Sequence, residues 1–193
     1  MKVYQEITIL PHEEVHLYFL WSKVYQQLHL AFVEIEDSNN KIPVGVSFPA
    51  YDELQHELGR KLRLFAPSEQ EIEKLKLEKW MTRLRDYIHV TRIKPVPDNI
   101  GKYAFFKRLQ PKNNNERLAR RKAKRHGISF EEALATYENR KEQYCTAPYI
   151  YIQSLSSRKR YRLIVAKIDC DHEQAGDGFS TYGLSPTSTV PLF

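Results

Sequence analysis

Three groups of side chains have types and spacings that could support chemistry, and His29 is the first of them. It lies in a helical pattern whose apolar stripe is centred near Leu28, and it falls about 60° beyond the edge of that stripe at 100° per residue. A histidine there flanks the buried face and can reach a cleft, where imidazole accepts a proton near neutral pH. The alternative is an ordinary exposed or half-buried helix histidine.

The second group consists of possible metal ligands. The segment DCDHE, residues 169 to 173, offers two aspartates, a histidine and a glutamate, as a metal-dependent nuclease would need. Consecutive ligands on a short loop point in alternating directions, however, and no second ligand cluster is visible. His12 and His16 have i, i+4 spacing but no third ligand nearby. We therefore expect a loop at DCDHE, no metal and no cofactor.

The third group is basic. The formal charge of +6 comes from residues 98 to 126, which hold 10 basic and 2 acidic side chains. Within this segment NERLARRKAKRH, residues 115 to 126, predicts a helix capped by Asn115 and ended by Gly127. Five cations recur on one helical face: Arg117, Arg120, Arg121, Lys124 and Arg125. With only Glu116 to pair with them, the pattern favours a nucleic-acid surface over a solvated helix face. Leu118 and Ala123 are left to touch the protein.

The elements that must position these groups follow from hydrophobic periodicity. Residues 1 to 97 predict a strand over KVYQEITIL, a helix over 14 to 36, strands over PVGVSFP and KLRLFA, a helix from Ser68 to about Trp80, and a strand over YIHVTRIKP. Ser68 with Glu71 forms a capping-box pattern. The order β-α-β-β-α-β is typical of a ferredoxin-like domain, so the fold class is α+β.

Residues 98 to 193 predict a smaller α+β C-terminal region that carries the arginine-rich helix. A second helix with the capping pair Ser129 and Glu132 follows, then strand patterns over YIYIQSLS and RYRLIVAKI and a loop-rich end. GKYAFFKRL, residues 101 to 109, only faintly echoes an RNA-recognition motif because it lacks the inner glycine.

Composition limits the remaining possibilities. No apolar run approaches the roughly 18 residues of a membrane span, and the N-terminus does not resemble a signal peptide. Cys145 and Cys170 are isolated, which favours free thiols in a reducing compartment. We expect a cytoplasmic protein without a membrane partner.

Five segments, in order and spacing, resemble the subtype I-F CRISPR repeat-processing endoribonuclease family. They are QQLHLAF (26 to 32), VGVSFP (44 to 49), KRLQPKNNNERLARRKAKRH (107 to 126), IQSLSSRKRYRLIV (152 to 165) and GFSTYGLS (178 to 185). The resemblance implies an enzyme that grips one repeat hairpin of precursor CRISPR RNA, cuts at its 3′ base without a metal and keeps the mature guide RNA. It also implies other subunits of a type I-F interference complex as partners; we expect a monomer when the protein is free.

The resemblance assigns three catalytic positions. His29 matches the catalytic histidine, Ser154 the ribose-holding serine and Tyr182 the tyrosine that orients the histidine. Attack of a ribose 2′-hydroxyl on its own phosphate needs one proton removed and the ribose restrained, which suits these residue types. The expected products are a 2′,3′-cyclic phosphate and a 5′-hydroxyl.

The resemblance also assigns RNA-binding positions. Arg108 and Gln110 match linker residues that read base pairs at the bottom of the stem, Tyr161 an aromatic that stacks on the terminal base pair, and Ser156 a serine that supports the substrate. The basic helix, with Arg117, Arg120, Arg121, Lys124, Arg125 and His126, matches the helix that lies in the hairpin's major groove.

Two departures from the family pattern stand out. Ala119 replaces a basic helix residue, and residues 186 to 189 replace a glycine-containing turn near the C-terminus. Two other functions stay open: a non-catalytic subunit that binds an RNA hairpin, and a metal-dependent nuclease centred on DCDHE.

Overall fold

A computed structural model describes residues 1 to 111, 115 to 138, 145 to 154 and 157 to 193. These residues form two compact units, one of Met1–Leu109 with Ala147–Phe193 and the other of Gln110–Thr146. The expected boundary at residue 97 separates two functional regions, whereas these two units are defined by contacts within the chain. The functional boundary therefore stays a prediction. Helices and antiparallel sheets occur together, so the α+β class is confirmed.

One sheet of the larger unit is built from the N-terminal half of the chain. Its strands lie in the order β3-β4-β1-β5, all neighbours are antiparallel, and β6 also pairs with β1. Their bounds are β1 Val3–Ile9, β3 Gly45–Ser47, β4 Lys61–Ala66, β5 Ile88–Val90 and β6 Lys94–Pro95. The alternation expected for strands is visible in β1, where Ile7 and Ile9 are fully buried.

A second antiparallel sheet is built mainly from the C-terminal half, in the order β11-β7-β9-β8. Its strands are β7 Lys102–Leu109, β8 Tyr149–Gln153, β9 Arg160–Cys170 and β11 Val190–Leu192. A short pair, β2 Lys41–Ile42 and β10 Phe179–Ser180, brings the C-terminal loop to the N-terminal half.

The long helix α1, Leu17–Glu34, contacts both β1 and β8. Its apolar residues recur at steps of three and four, which places them on one face and explains the helix. The buried ones are Leu20, Trp21, Val24, Tyr25, Leu28, Ala31 and Phe32. They belong to one hydrophobic core shared with both sheets. Among the described residues, no helix is both long enough and apolar enough to cross a membrane.

The smaller unit consists of two packed helices, α4 Asn115–His126 and α5 Phe130–Ala135. Gly127 ends α4 with a left-handed φ of 66°, and its N–H donates to the Ala123 carbonyl. The Ser129 hydroxyl accepts from the Glu132 N–H, which confirms the second capping pair. The predicted basic helix is likewise confirmed, but the capping role expected for Asn115 is wrong. Asn115 is the first residue of α4, and its side-chain amide donates to the Tyr137 carbonyl at 3.3 Å.

The prediction of one continuous helix from Ser68 to about Trp80 is wrong, because two short helices occupy this segment. The structure has α2 Glu69–Glu73 and α3 Leu77–Met81, separated by Lys76 with φ 47° in the left-handed region. A non-glycine residue there costs about 1 kcal/mol, which burial of Leu75 and Leu77 on both sides of the break offsets. The Ser68 hydroxyl makes no cap hydrogen bond, so the capping box does not form.

Strand lengths also differ from the sequence expectation. YIHVTRIKP forms two short strands, β5 and β6, because residues 91 to 93 leave the ladder between them. Strand β7 covers most of GKYAFFKRL, and the polar linker expected at Arg108 is therefore the end of a strand. Residues 155 and 156 of the YIYIQSLS pattern lie outside the described residues.

Candidate functional site

His29 is half-buried on α1, beside the fully buried Leu28. Its Nδ1 lies 2.7 Å from the carbonyl oxygen of Thr181. Since a carbonyl oxygen only accepts hydrogen bonds, Nδ1 must carry the hydrogen, and in the neutral ring Nε2 holds the lone pair. The contact therefore sets the tautomer that an imidazole needs to act as a base through Nε2.

Tyr182 stacks on the same imidazole. The two rings are nearly parallel, with centroids 4.4 Å apart and an interplanar angle of 9°. The phenol oxygen of Tyr182 lies 2.6 Å from the hydroxyl of Tyr161, so Tyr182 meets His29 through its ring and not through its hydroxyl. Ring contact on one side and a carbonyl at Nδ1 together restrict rotation of the His29 side chain.

The loop that carries Tyr182 is fastened at several points. The Tyr25 hydroxyl donates to the Tyr182 carbonyl oxygen at 2.8 Å, and burial raises the pKa of Tyr25 far above its ordinary value, which keeps this donor protonated. Gly183 has φ 68° and its carbonyl accepts from the Val46 N–H. A Cβ on Gly183 would lie 2.5 Å from Val46 Cγ1, so only glycine fits there.

Hydroxyl groups replace the glycine turn that the family pattern has near residues 186 to 189. The Ser185 Oγ accepts from the N–H groups of Thr187 and Ser188, and the Thr189 Oγ1 accepts from the Gln174 N–H. Ser185, Ser188 and Thr189 are buried. The departure in sequence therefore still gives a well hydrogen-bonded end to the loop.

Arg108 joins the same group from the end of β7. Its guanidinium carbon lies 5.4 Å from the ring centroids of both Tyr161 and Tyr182. Burial and the hydrogen bond to Tyr182 raise the pKa of Tyr161 well above the ordinary tyrosine value, although Arg108 acts in the opposite direction. His29, Tyr182, Tyr161 and Arg108 thus form one chain of direct contacts, which we call the histidine cluster.

Ser154 lies at the end of β8, where the chain turns toward β9. Its N–H donates to the Lys159 carbonyl and its Oγ accepts from the Ser157 N–H at 3.2 Å. The preceding residue, Gln153, donates its N–H to Gln26 Oε1 at 2.9 Å. Because Gln26 lies one helical turn before His29 on α1, this bond links the strand end that carries Ser154 to the helix that carries the histidine.

The basic helix α4 presents its cations away from α5. Ala119 is fully buried, and the five predicted cations span about 140° of the opposite side at 100° per residue. Arg120 makes an exposed ion pair with Glu116 at 3.5 Å. Among the described residues, Arg121, Lys124 and Arg125 have no ion pair. Three guanidinium or ammonium groups are therefore available to an anionic ligand.

Three other predicted binding residues have different placements. Gln110 is exposed at the start of the smaller unit. His126 is exposed at the end of α4, but by rotation it lies on the Ala119 side of the helix and not among the five cations. Ser156 lies outside the described residues.

Asp169 and Cys170 are the last residues of β9, so the loop expected over DCDHE begins only at Asp171. Several side chains of the segment have partners within the protein. Asp169 pairs with Lys167 at 3.0 Å, Glu173 pairs with the α-amino group of Met1 at 2.7 Å, and the His172 Nε2 lies 3.1 Å from the Gln174 amide nitrogen. Within the described ranges, no three His, Cys, Asp or Glu side chains converge on a possible metal position. His12 and His16 are both exposed.

Sequence reasoning missed the groups that hold the histidine cluster in place. Thr181 acts through its backbone carbonyl, which leaves no side-chain signal. Tyr25 and Gln26 lie four and three residues before His29, so helical spacing could have placed them near it. Their partners lie far along the chain, however, and only the fold reveals them.

The chain matches a protein-family model described as CRISPR-associated protein (Cas_Csy4) over residues 4–193. Curated relatives include the CRISPR-associated endonuclease Cas6/Csy4 of Escherichia coli (strain UTI89 / UPEC) and that of Pseudomonas aeruginosa (strain UCBPP-PA14). Each is 32% identical over 193 residues, which is 100% of this chain and of the relative. A solved structure described as an RAMP protein binding different RNA substrates aligns over the whole of both chains with 11% identity. Its TM-score of 0.36 is too low to establish a shared fold.

These matches define the class as the CRISPR-associated proteins. The chain belongs to the Cas_Csy4 family. The family resemblance inferred from the five sequence segments is confirmed.

Proposed function

We propose that this chain is a metal-independent endoribonuclease that cuts precursor CRISPR RNA at the 3′ base of each repeat hairpin. The observation that carries the proposal is the placement of His29, with Nδ1 bonded to the Thr181 carbonyl and the ring stacked on Tyr182. This geometry supports a base whose reactive atom is Nε2. The relatives in Escherichia coli and Pseudomonas aeruginosa carry the name endonuclease, which supports nuclease chemistry at this site.

In the proposed reaction, His29 Nε2 takes the proton of a ribose 2′-hydroxyl as that oxygen attacks the adjacent phosphorus. The O2′–P bond forms while the P–O5′ bond breaks, and the departing O5′ takes up a proton from water or from the imidazolium. The hairpin then ends in a 2′,3′-cyclic phosphate and the downstream fragment begins with a 5′-hydroxyl. Each proton is carried by RNA, imidazole or water, so the step balances without a metal ion.

Other residues, inside and outside the histidine cluster, hold the substrate in this proposal. Ser154 restrains the ribose at the cleavage point, and the Gln153–Gln26 bond supports that position relative to α1. Tyr161 stacks on the terminal base pair, Arg108 and Gln110 read base pairs at the bottom of the stem, and Ser156 supports the substrate. The planar groups of Arg and Gln suit guanine and adenine edges respectively.

The basic helix supplies affinity for the hairpin. Arg117, Arg120, Arg121, Lys124, Arg125 and His126 contact the stem from the major groove in this proposal. Arg121, Lys124 and Arg125, which have no ion pair in the part of the chain that the structure describes, support it. Phosphate contacts made by such cations release counterions and slow dissociation. Slow release keeps the mature guide RNA on the protein, which would then enter a type I-F interference complex with the other subunits. We propose that the free protein is a monomer and acts in the cytoplasm.

We also propose that residues 1 to 97 form a ferredoxin-like domain and residues 98 to 193 an RNA-binding region. The order of β3, β4, β1 and β5 supports this assignment. When the two-residue strands β2 and β6 are left aside, β3 and β4 lie on one side of β1 and β5 lies on the other, with α1 and α2 in the two crossovers. The extra pairing of β6 with β1 is compatible with that arrangement.

The proposal is tested by incubating the cognate repeat hairpin with the wild type and with His29→Ala in excess EDTA. His16→Ala is the matched control, because His16 is an exposed histidine at the start of the same helix with no side-chain cap bond. The wild type and His16→Ala should cut the RNA at one position. His29→Ala should bind it and leave it intact.

The two other functions give different results in the same assay. A non-catalytic subunit would bind the hairpin tightly and leave it uncut even as wild type. A metal-dependent nuclease centred on residues 169 to 173 would lose cleavage in EDTA and regain it with Mg²⁺. Either result would contradict the proposed function.

A further inference from the structure

Four side chains form an ordered group on the outer face of β8 and β9. Tyr151 is paired with Arg162 across the two antiparallel strands, and Tyr149 and Arg160 each lie two residues earlier on their own strand, on the same face. The Arg160 guanidinium carbon lies 3.9 Å from the Tyr151 ring centroid, and that of Arg162 lies 5.3 Å from the Tyr149 centroid. The two tyrosine rings meet edge to face at 5.2 Å. We call this group the arginine–tyrosine ladder.

The ladder is strongly cationic. Arg160 and Arg162 are exposed, and neither has an ion pair within the described residues. Residues 145 to 166 contain four basic and no acidic side chains, and two of the four, Arg158 and Lys159, lie in the adjoining turn. The acidic residues on either side of this stretch cancel its charge in a sum over residues 127 to 193. The structure therefore reveals a positive surface that the charge count of the sequence conceals.

The chemistry of the ladder fits single-stranded RNA. Guanidinium planes bind phosphates with two parallel hydrogen bonds, and stacked against aromatic rings they offer flat surfaces on which an unpaired base can stack. Apart from its terminal base pair, a double-stranded stem could use only the charges, because its bases are already stacked on one another. The ladder spans about 13 Å from residue 149 to residue 153 at 3.3 Å per residue, room for roughly two or three nucleotides.

The ladder also has a defined place relative to the histidine cluster. Tyr161 alternates with Arg160 and Arg162 along β9 and so lies on the opposite, inner face of the sheet, opposite the buried Ile152. The ladder is therefore separate from the surface that stacks on the stem. It begins at the strand end that leads into Ser154, the proposed holder of the nucleotide at the cleavage point.

We propose that the arginine–tyrosine ladder binds the single-stranded RNA that continues 3′ of the cleavage point. The inference rests on the proposed function, since it takes Ser154 as the position of the nucleotide that is cut. A precursor is then held both by its hairpin and by its 3′ flank. After cleavage the flank is held by the ladder alone, and it dissociates while the hairpin stays bound.

The test compares three RNAs that carry a 2′-deoxy nucleotide at the cleavage point and are not cut. One hairpin ends there, one has a single-stranded extension of about eight nucleotides on its 3′ side, and one has the same extension on its 5′ side. Dissociation constants are measured for the wild type and for Arg160→Gln/Arg162→Gln. Arg92→Gln is the matched control, because Arg92 is an exposed arginine elsewhere in the larger unit.

The wild type and Arg92→Gln should bind the 3′-extended hairpin about tenfold more tightly than the blunt one, as expected for one or two stacked or paired nucleotides. The double variant should reduce this ratio to near one, with its affinity for the blunt hairpin unchanged. A wild-type ratio near one, an equal gain from the 5′ extension, or a gain that survives in the double variant would overturn the inference. Failure of the wild type to bind the blunt hairpin would instead overturn the proposed function, and the inference with it.

Discussion

At the scale of single residues, the hydrogen bond between His29 Nδ1 and the Thr181 carbonyl determines which ring nitrogen can act as a base. Helical periodicity predicted that His29 flanks the buried face, and the structure confirms it. The tautomer could not be predicted, because the partner is a backbone atom 152 residues further along the chain. The stacking of His29 on Tyr182 could not be predicted either, because the spacing of residues along the chain does not determine how two distant rings are oriented.

The Tyr161 hydroxyl should act as a positioning group through Tyr182. Tyr161→Phe keeps the aromatic ring but removes the hydrogen bond of 2.6 Å. A hydrogen bond of this kind contributes about 0.5 to 1.5 kcal/mol, so we expect a single-turnover cleavage rate roughly 2- to 10-fold lower. The dissociation constant for the uncut hairpin should not change. Single-turnover kinetics and a binding titration measure the two quantities.

A double-mutant cycle separates this role from a general loss of structure. If the Tyr161 hydroxyl acts only through Tyr182, then Tyr161→Phe should have no further effect on the rate in a Tyr182→Phe background. Additive losses in the double variant would show that the two hydroxyls act independently.

At the scale of elements, the loop that follows β10 positions Tyr182 through its backbone. It is held by bonds to Tyr25 and Val46 and by the close approach of Gly183 to Val46. The sequence predicted only a loop-rich end for this region. The loop depends on contacts with α1 and β3, which lie more than 130 residues away and which no local pattern encodes.

Gly183→Ala should damage both stability and catalysis. The new Cβ would meet Val46 at 2.5 Å, and φ 68° disfavours alanine. We expect the free energy of unfolding to fall by about 1 to 3 kcal/mol and cleavage to slow as Tyr182 moves. Gly101→Ala is the control, because a Cβ there meets nothing within 4 Å. Equal denaturation midpoints for the two variants would contradict the tight fit at Gly183.

The basic helix α4 gives a second prediction at this scale. Arg121→Ala should lower the slope of log affinity against log salt by about one, the value expected for one lost phosphate contact. Lys122→Ala is the control, since its Nζ bonds Thr136 Oγ1 at 3.0 Å on the α5 side. A slope that is unchanged in Arg121→Ala would remove this position from the RNA interface.

At the scale of the whole molecule, the two sheets share one core although their strands come from distant parts of the chain. The strong patterns of β1, β4, α1 and α4 could be predicted because each one buries a regular face. The pairing of β7 with β9 and β11, and the break between α2 and α3, could not. Both depend on which distant surfaces meet, and tertiary contacts outweigh local propensity there.

Glu6 should make the free energy of unfolding depend on pH in the acidic range. It bridges Lys61 and Arg63 across β1 and β4, each at 2.9 Å. Burial alone would raise the pKa of Glu6, but the hydrogen bonds and charges of Lys61 and Arg63 outweigh it and hold the pKa below the ordinary 4.5. Since the folded pKa is lowered, the ionised carboxylate stabilises the fold above about pH 4.5 and this contribution is lost as the pH falls through the folded pKa.

Glu6→Gln should therefore lower the free energy of unfolding by about 1 to 2 kcal/mol at pH 7, and the difference from wild type should shrink below pH 4.5. Urea denaturation at several pH values measures it. Glu34→Gln, which breaks an exposed pair with Lys79, should change stability by less than about 0.5 kcal/mol. A difference for Glu6→Gln that is the same at every pH would contradict the ion-pair explanation.

The central claim is that His29 promotes attack by a ribose 2′-hydroxyl in a reaction without metal, and the ends of the RNA products test it most directly. The cognate repeat hairpin is cut by the wild type in excess EDTA, and the termini of both fragments are determined by mass spectrometry. We predict a 2′,3′-cyclic phosphate on the hairpin fragment and a 5′-hydroxyl on the other, with neither formed by His29→Ala. Fragments that carry a 3′-hydroxyl and a 5′-phosphate would contradict the claim, because they require water and not the ribose hydroxyl as the attacking group.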